Sequence, residues 1–354
     1  VPVELQCSRS DATGALRLRA GDTDRVVPST RSAVKIVAVI NQKGGVGKTT
    51  TTVNLGAGLA QMGRNVLLLD LDPQANLSLH LDRRPELEEA TMTHLLVEDR
   101  PIAELIRTTP TERLFVIPAD TSLGGVEQVL ANKIGRETVL REALDAYRGE
   151  PQFDYVLIDC PPSLGVLSAN ALCAASEVLI PMQTEYFSLQ GMAKLTEVIQ
   201  VVKRRLNPAI DVTCVLPCMV DLRTRLTTEV IENIGAYFGD RLAKTWIRNN
   251  VKLAEAPSFG MTIFQHAPDS NGAADYRAFT LEFLARHGDL PAAMVEPADV
   301  SAADAPNAHS VPAERSIGTS RDDDPPDHRA SSSSERSSLG AADSPQDSMA
   351  AGSD

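Results

Sequence analysis

The run VKIVAVINQKGGVGKTT, residues 34–50, passes from an apolar strand through a glycine-rich turn into the start of a helix. Val34–Ile40 is apolar except for Lys35, the composition of a strand buried on both faces. Asn41-Gln42-Lys43-Gly44-Gly45-Val46-Gly47-Lys48-Thr49-Thr50 follows. The strict pattern G-x-x-x-x-G-K-[ST] is not met, because Gln42 stands where the first glycine falls. The later Gly-Lys-Thr is intact, and it sits between a strand and a helix as a phosphate-binding loop requires. Glycines let successive backbone N–H groups converge on an anion. The helix that starts at Thr49 and runs to about Met62 points its positive end at the same spot. Gly44, Gly45, Val46, Gly47, Lys48, Thr49 and Thr50 are therefore the candidate nucleotide cradle. Lys48 is expected to reach the β- and γ-phosphates of ATP, and the Thr49 hydroxyl to ligate Mg²⁺. A second lysine, Lys43, stands at the head of the loop.

Two further stretches supply carboxylates. Val66-Leu67-Leu68-Leu69-Asp70-Leu71-Asp72-Pro73-Gln74 puts two Asp residues at i and i+2, on one side of a strand's carboxyl end. Asp70 is expected near the Mg²⁺ shell, and Asp72 in the loop beyond, placed to orient an attacking water. A helix cap explains an Asp before Pro equally well in isolation, but the phosphate loop about 20 residues upstream favours the catalytic reading. Tyr155-Val156-Leu157-Ile158-Asp159 ends a third strand in a carboxylate, the usual way to hold Mg²⁺ directly or through water. The Pro161-Pro162 pair after it stiffens the next loop.

Outward from these motifs, apolar strand runs alternate with helical patterns. Strands are expected at 34–40, 66–69, 114–117, 155–158, 178–180 and 212–219. Met192, Leu195, Ile199, Val202 and Leu206 mark one amphipathic helix, and Leu226, Val230, Ile231, Ile234 and Phe238 another. Alternating β and α implies an α/β fold, a mostly parallel sheet flanked by helices on both faces, with ligands at the strands' carboxyl ends. This region spans residues 34–290. Residues 1–33 are polar and aperiodic, read as a flexible extension. Residues 291–354, with RDDDPPDHRASSSSERSS, read as a disordered acidic tail that buries too little apolar surface to order itself.

The apolar fraction, 43% of 354 residues, is that of an ordinary globular protein, and no run nears the roughly 20 apolar residues of a membrane span. VPVELQCSRSDATG lacks the apolar core of a signal peptide. The five cysteines include no C-x-x-C pair, so a reducing cytoplasm fits better than a disulfide framework. Cys214 and Cys218 share a strand face and read as buried small hydrophobes rather than a zinc pair. The net charge of −13 divides into −8 for residues 291–354, +1 for 1–33 and −6 for the middle. Any DNA contact must then be a local basic patch.

The series NQKGGVGKTTTTVNLGAGLA, LLLDLDPQANLS, FDYVLIDCPPSLGVLSANAL, PMQTEYFSLQGMAKL, MVDLRTRLTTEVIENI and VKLAEAPSFG resembles, in order, the ParA/Soj family of partitioning ATPases. The likeness runs from about Val34 to Ala285 and implies a P-loop NTPase fold. It implies that Lys43 crosses a dimer interface to the other protomer's phosphates, as an arginine finger does, and that Asp72 is needed for hydrolysis. It also implies an ATP-dependent homodimer, non-specific binding of double-stranded DNA through Arg223 and Lys252, and a ParB-like centromere-binding partner that stimulates hydrolysis. A cytoplasmic, nucleoid-associated protein would follow. Arg225, Lys244 and Arg248 are candidate extensions of the basic patch. One stretch departs: the family commonly reads I-P-R-N-V where this chain has Ile247-Arg248-Asn249-Asn250-Val251, near the nucleotide base in relatives. Asn250 keeps the matching residue. A MinD-like membrane-positioning ATPase is the rival reading, disfavoured because Leu281–His287 is only weakly basic and an acidic tail follows. A positioner of a protein cargo would share the same ATPase core.

Overall fold

The computed structural model describes residues 33–290, apart from residues 87, 185–187 and 222. The segments read above as a flexible extension and a disordered tail, and Cys7, lie outside the described residues, Ala33 excepted.

Eight strands form one sheet: β1 (Lys35–Val39), β2 (Val66–Asp70), β3 (Arg107–Thr108), β4 (Leu114–Ile117), β5 (Tyr155–Asp159), β6 (Glu177–Gln183), β7 (Asp211–Val220) and β8 (Ile247–Arg248). Their spatial order is β3-β4-β2-β5-β1-β6-β7-β8. All neighbours run parallel except β3, which closes one edge antiparallel to β4. All six strands expected from the sequence are present. The two that were not expected, β3 and β8, are two-residue edge strands too short to show any periodicity. β6 is longer than the expected 178–180, because it pairs with β7 along its whole length, from Glu177 to Gln183.

Alternation along the strands divides the core into two layers. Val37 and Val39 of β1 face one layer, with Val53, Leu55 and Leu59 of the helix Lys48–Gln61 and Phe279 and Phe283 of the helix Asn271–Arg286. Ala38 and Ile40 face the other, with Leu172, Leu195 and Ile199 from helices on the opposite side. Each large side chain so buried contributes about 2 kcal/mol through loss of contact with water. Cys214 and Cys218 belong to the first layer as buried side chains, and burial pushes both thiols up to about 12.

The helix Lys48–Gln61 is buried almost all round, and it pays for that with small residues. At Gly58 a Cβ would lie 2.2 Å from the Thr280 hydroxyl, so glycine is what lets the helix Asn271–Arg286 approach this closely. β1 is central, with β5 on one side and β6 on the other, so the chain crosses in opposite directions from its two flanks. The carboxyl end of β1 is thus a topological switch point, the place where such sheets hold ligands.

Candidate active site

The loop after β1 begins with a side-chain device. Asn41 is buried; its Nδ2 donates to the Pro181 carbonyl at 2.8 Å, and its Oδ1 accepts from the Lys43 backbone N–H at 3.0 Å. Asn41 thereby ties the loop to β6 and turns the chain. Gly45 and Gly47 take φ of +72° and +92°, left-handed values that side chains resist. Gly47 is the residue preceding the helix, so the first N–H groups of Lys48–Gln61 face the cleft. The Lys48 ammonium donates to the Lys43 carbonyl at 3.2 Å. Desolvation lowers its pKa, while Asp159, Cys160 and Asp72 act to raise it. Lys43 itself is exposed, its backbone pinned from both sides by these two bonds.

Asp159, at the end of β5, accepts from the Thr49 hydroxyl at 2.6 Å and from the Thr52 hydroxyl at 3.4 Å. Burial pushes its carboxyl well above the usual carboxylate range, and neighbouring Asp70 adds to this, against the pull of Thr49 and Lys48. A buried carboxyl beside a hydroxyl is a site that a divalent cation would satisfy, since the ion offsets the desolvation of the carboxylate. Among the described residues no three or more His, Cys, Asp or Glu side chains group as a metal cage. Mg²⁺ does not require one, because one or two protein ligands with phosphate and water complete its shell.

Asp72 lines a cleft of about 1000 Å³ together with Gly44, Gly45, Lys48 and Thr49. Its Oδ1 accepts from the Gln74 N–H at 2.9 Å, which fixes the carboxylate in a turn. Asp70 is a correction to the expectation of a metal ligand. It pairs in register with Asp159, so it is near the site. Its oxygens, however, are turned into the fold: Oδ2 accepts from the Ser78 N–H and hydroxyl at 2.9 and 2.7 Å, and Oδ1 from the Asp72 N–H at 3.2 Å. It is fully buried, and desolvation raises its pKa to about 6. Asp70 supports the turn that carries Asp72 and does not line the cleft.

A smaller cavity of about 170 Å³ lies against Gly47 and Thr50 and is walled by Met219, Asn249, Asn250, Leu253 and Tyr276. Asn250 lines it while capping the helix Val251–Glu255, its Oδ1 accepting from the Lys252 N–H at 2.8 Å.

Arg223 and Lys252 follow the ends of the parallel neighbours β7 and β8, so the topology brings them to one end of the sheet, the same end as the phosphate loop. Both are already paired. Arg223 is 89% exposed and forks onto Asp221 at 2.8 and 2.6 Å, and Lys252 donates to Glu255 at 2.7 Å. Two of the candidate extensions of the patch are engaged or placed elsewhere. Arg248 is bound by Asp275, and Lys244 precedes β8, at the opposite end of that strand. The Arg225 side chain lies outside the described residues.

Comparison with known proteins settles the family. Residues 34–212 match a family model described as an AAA domain. Soj of Bacillus subtilis, a sporulation initiation inhibitor protein, is 45% identical over 251 residues, 71% of this chain and 98% of that protein. The chromosome partitioning protein ParA of Caulobacter vibrioides is 40% identical over 259 residues, 73% of this chain and 97% of its own length. The chain belongs to the Soj/ParA family of partitioning ATPases. Among solved structures, cobyrinic acid a,c-diamide synthase of Mycobacterium smegmatis, with bound ADP and magnesium, superposes with a TM-score of 0.62 at 34% identity, over 72% of this chain and 95% of that one. MinD of Pyrococcus horikoshii shares the fold, with a TM-score of 0.57 at 23% identity over 71% of this chain and 96% of that one. For this Soj/ParA ATPase, sequence reasoning missed Asn41, Thr52 and Ser78, which hold Lys43, Asp159 and Asp70 in place. An Asn that opens a glycine-rich loop after a strand is a turn signal and was open to that reading; the two hydroxyls carry no local signature.

Proposed function

We propose that this protein is an ATP-driven DNA-partitioning switch, and the observation that carries the reading is the convergence of Lys48, Thr49 and Asp72 on the cleft at the end of β1, with Asp159 hydrogen-bonded behind Thr49, at the end of the sheet that also bears Arg223 and Lys252. ATP lies with its phosphates in the loop of residues 44–50 and its base toward Asn250. Thr49 and Asp159 would hold Mg²⁺, which would supply positive charge against that of the triphosphate. Lys48, freed from the Lys43 carbonyl, turns to the phosphates, whose negative charge favours its ammonium form. Asp72, fixed by Gln74, orients the attacking water. Lys43 projects from a pinned backbone across a homodimer interface and completes the facing protomer's site, so that dimerisation and hydrolysis become one event.

In the ATP-bound dimer two copies of Arg223 and Lys252 form one basic surface for double-stranded DNA. Phosphate neutralisation alone supplies this affinity, so it is independent of sequence and falls steeply with salt. A ParB-like centromere-bound partner stimulates hydrolysis, the dimer parts, and the DNA is released. The protein then works in the cytoplasm, on the nucleoid; no helix among the described residues is long and apolar enough to cross a membrane.

The test is binding to non-specific duplex DNA with ATP, with ADP and without nucleotide, for the wild type and Arg223→Glu. Binding that requires ATP, weakens with salt and is lost in the variant supports the switch. Binding indifferent to nucleotide overturns it.

A further inference from the structure

The cavity beside Gly47 and Thr50 has one wall that is hard to hold still. β8 is a two-residue edge strand, and its register with β7 slips between Cys218 and Val220. Met219, at the slip, has a φ of +55°. The residues that follow β8, Asn249 and Asn250, form the cavity wall, yet the sheet grips β8 on one side only.

The other side is gripped by Asp275. Its carboxylate accepts from the Arg248 backbone N–H at 2.9 Å, from Nε at 3.0 and 3.1 Å and from a terminal guanidinium nitrogen at 2.6 Å. Asp275 is 8% exposed, so these bonds are charge-assisted and partly shielded from water. The next residue, Tyr276, makes a hydroxyl–hydroxyl hydrogen bond of 3.1 Å with Thr51, in the first turn of the phosphate-loop helix. Gly272 lies one turn earlier, and a Cβ there would meet Leu253, another wall residue, at 2.8 Å. Residues 272, 275 and 276 share one face of the helix Asn271–Arg286. That face therefore holds the phosphate loop through Thr51 and the opposite wall through Arg248, and sets the gap between them.

We propose that Arg248 and Asp275 form a positioning clamp that fixes the Asn249–Asn250 wall, and through it the selection of the nucleoside triphosphate by its base. The inference rests on the reading above that the base points toward Asn250. Arg248 touches no nucleotide in this scheme. A lysine would keep the charge but lose the fork that binds Asp275 through two nitrogens.

The experiment is steady-state hydrolysis of ATP and GTP by the full chain with duplex DNA, for the wild type, Arg248→Ala, Arg248→Lys and Asp275→Asn, with melting temperatures alongside. The expected result is a KM for ATP raised about tenfold in Arg248→Ala, with kcat within about twofold and a narrowed ATP-to-GTP ratio of kcat/KM. Arg248→Lys should fall between Arg248→Ala and the wild type. Asp275→Asn keeps one acceptor oxygen and the helix, and should shift KM and the ratio in the same direction even if Arg248→Ala does not fold. A lowered melting temperature with unchanged KM and ratio overturns the clamp and leaves a purely structural pair. Competition by inorganic tripolyphosphate separates the two readings. If it displaces ATP from the wild type as well as ATP itself does, the base contributes nothing and the cavity reading fails with the clamp. If ATP is much preferred and the variants still keep their KM, the clamp alone fails.

Discussion

The phosphate loop and the basic positions lie at the same end of one sheet, yet they are built in opposite ways. Residues 41–52 are contiguous, partly buried, and cross-tied: Asn41 to β6, Thr49 and Thr52 to Asp159, Lys48 to the Lys43 carbonyl. Arg223 and Lys252 come from two different connections, lie in solvent, and are tied only to acids two and three residues away. The first region's backbone is tied down before any ligand arrives, and a preorganised site loses little on binding. The second must exchange its own acids for phosphates, so its affinity is a difference between two similar pairings and is easily tuned.

The largest effect is expected where the rigid region does chemistry. Asp72→Ala should lower DNA-stimulated ATP hydrolysis by about 10² to 10⁴ while leaving ATP-dependent DNA binding intact, because it removes the group that orients water and none that hold phosphate. Turnover and DNA binding measured on the same preparation decide this. If both fall together, Asp72 belongs to the architecture and not to the chemistry.

Next is the exposed region. Arg223→Glu should weaken ATP-dependent DNA binding by roughly 100-fold at low salt, because an attraction is lost and a repulsion gained in both protomers. The slope of log K against log salt should flatten by about 2, one contact per protomer. An unchanged slope would place the DNA surface elsewhere.

A third expectation tests whether burial around the cleft carries a cost. His80 lines its outer wall, is 1% exposed, and has its pKa lowered by desolvation to about 4. Below about pH 6.5 the unfolded chain binds a proton here that the folded chain refuses until about pH 4. Stability is therefore fully present above pH 6.5 and is lost as pH falls toward 4. Between pH 7 and 5 the loss from this residue is about 2 kcal/mol. Urea titrations of the wild type and His80→Gln should differ in their pH dependence by that amount; parallel curves would show that His80 titrates alike in both states.

The same contrast explains what could be read from the sequence. The loop 43–50 was legible because its function needs consecutive backbone N–H groups, so the chemistry is written in adjacent letters. The i, i+2 spacing put Asp70 and Asp72 together near the end of β2, but it cannot say which donors a carboxylate meets, and Ser78 took Asp70 out of the cleft. Arg248 read as a candidate extension of the basic patch because its partner is 27 residues away in a helix whose facing could not be known. β3 and β8 fell below the length at which periodicity exists.

The smallest expected effect is the most direct probe of the exposed pairing. Asp221 bonds the Arg223 fork, and that contact holds its carboxyl at about 2, well below the usual carboxylate range, so it is ionised at any physiological pH. A DNA phosphate that reaches Arg223 must displace this carboxylate, and it also meets the negative charge left beside it. Asp221→Asn keeps the side chain's shape and one acceptor oxygen but removes the charge. It should tighten ATP-dependent DNA binding about threefold, with ATP hydrolysis in the absence of DNA unchanged, because the pair lies outside the cleft lining. The gain should shrink as salt screens the repulsion it removes. Weaker binding in Asp221→Asn would mean that Asp221 aims Arg223 at the DNA rather than competing for it, and the exposed region would then be preorganised after all, like the loop beside it.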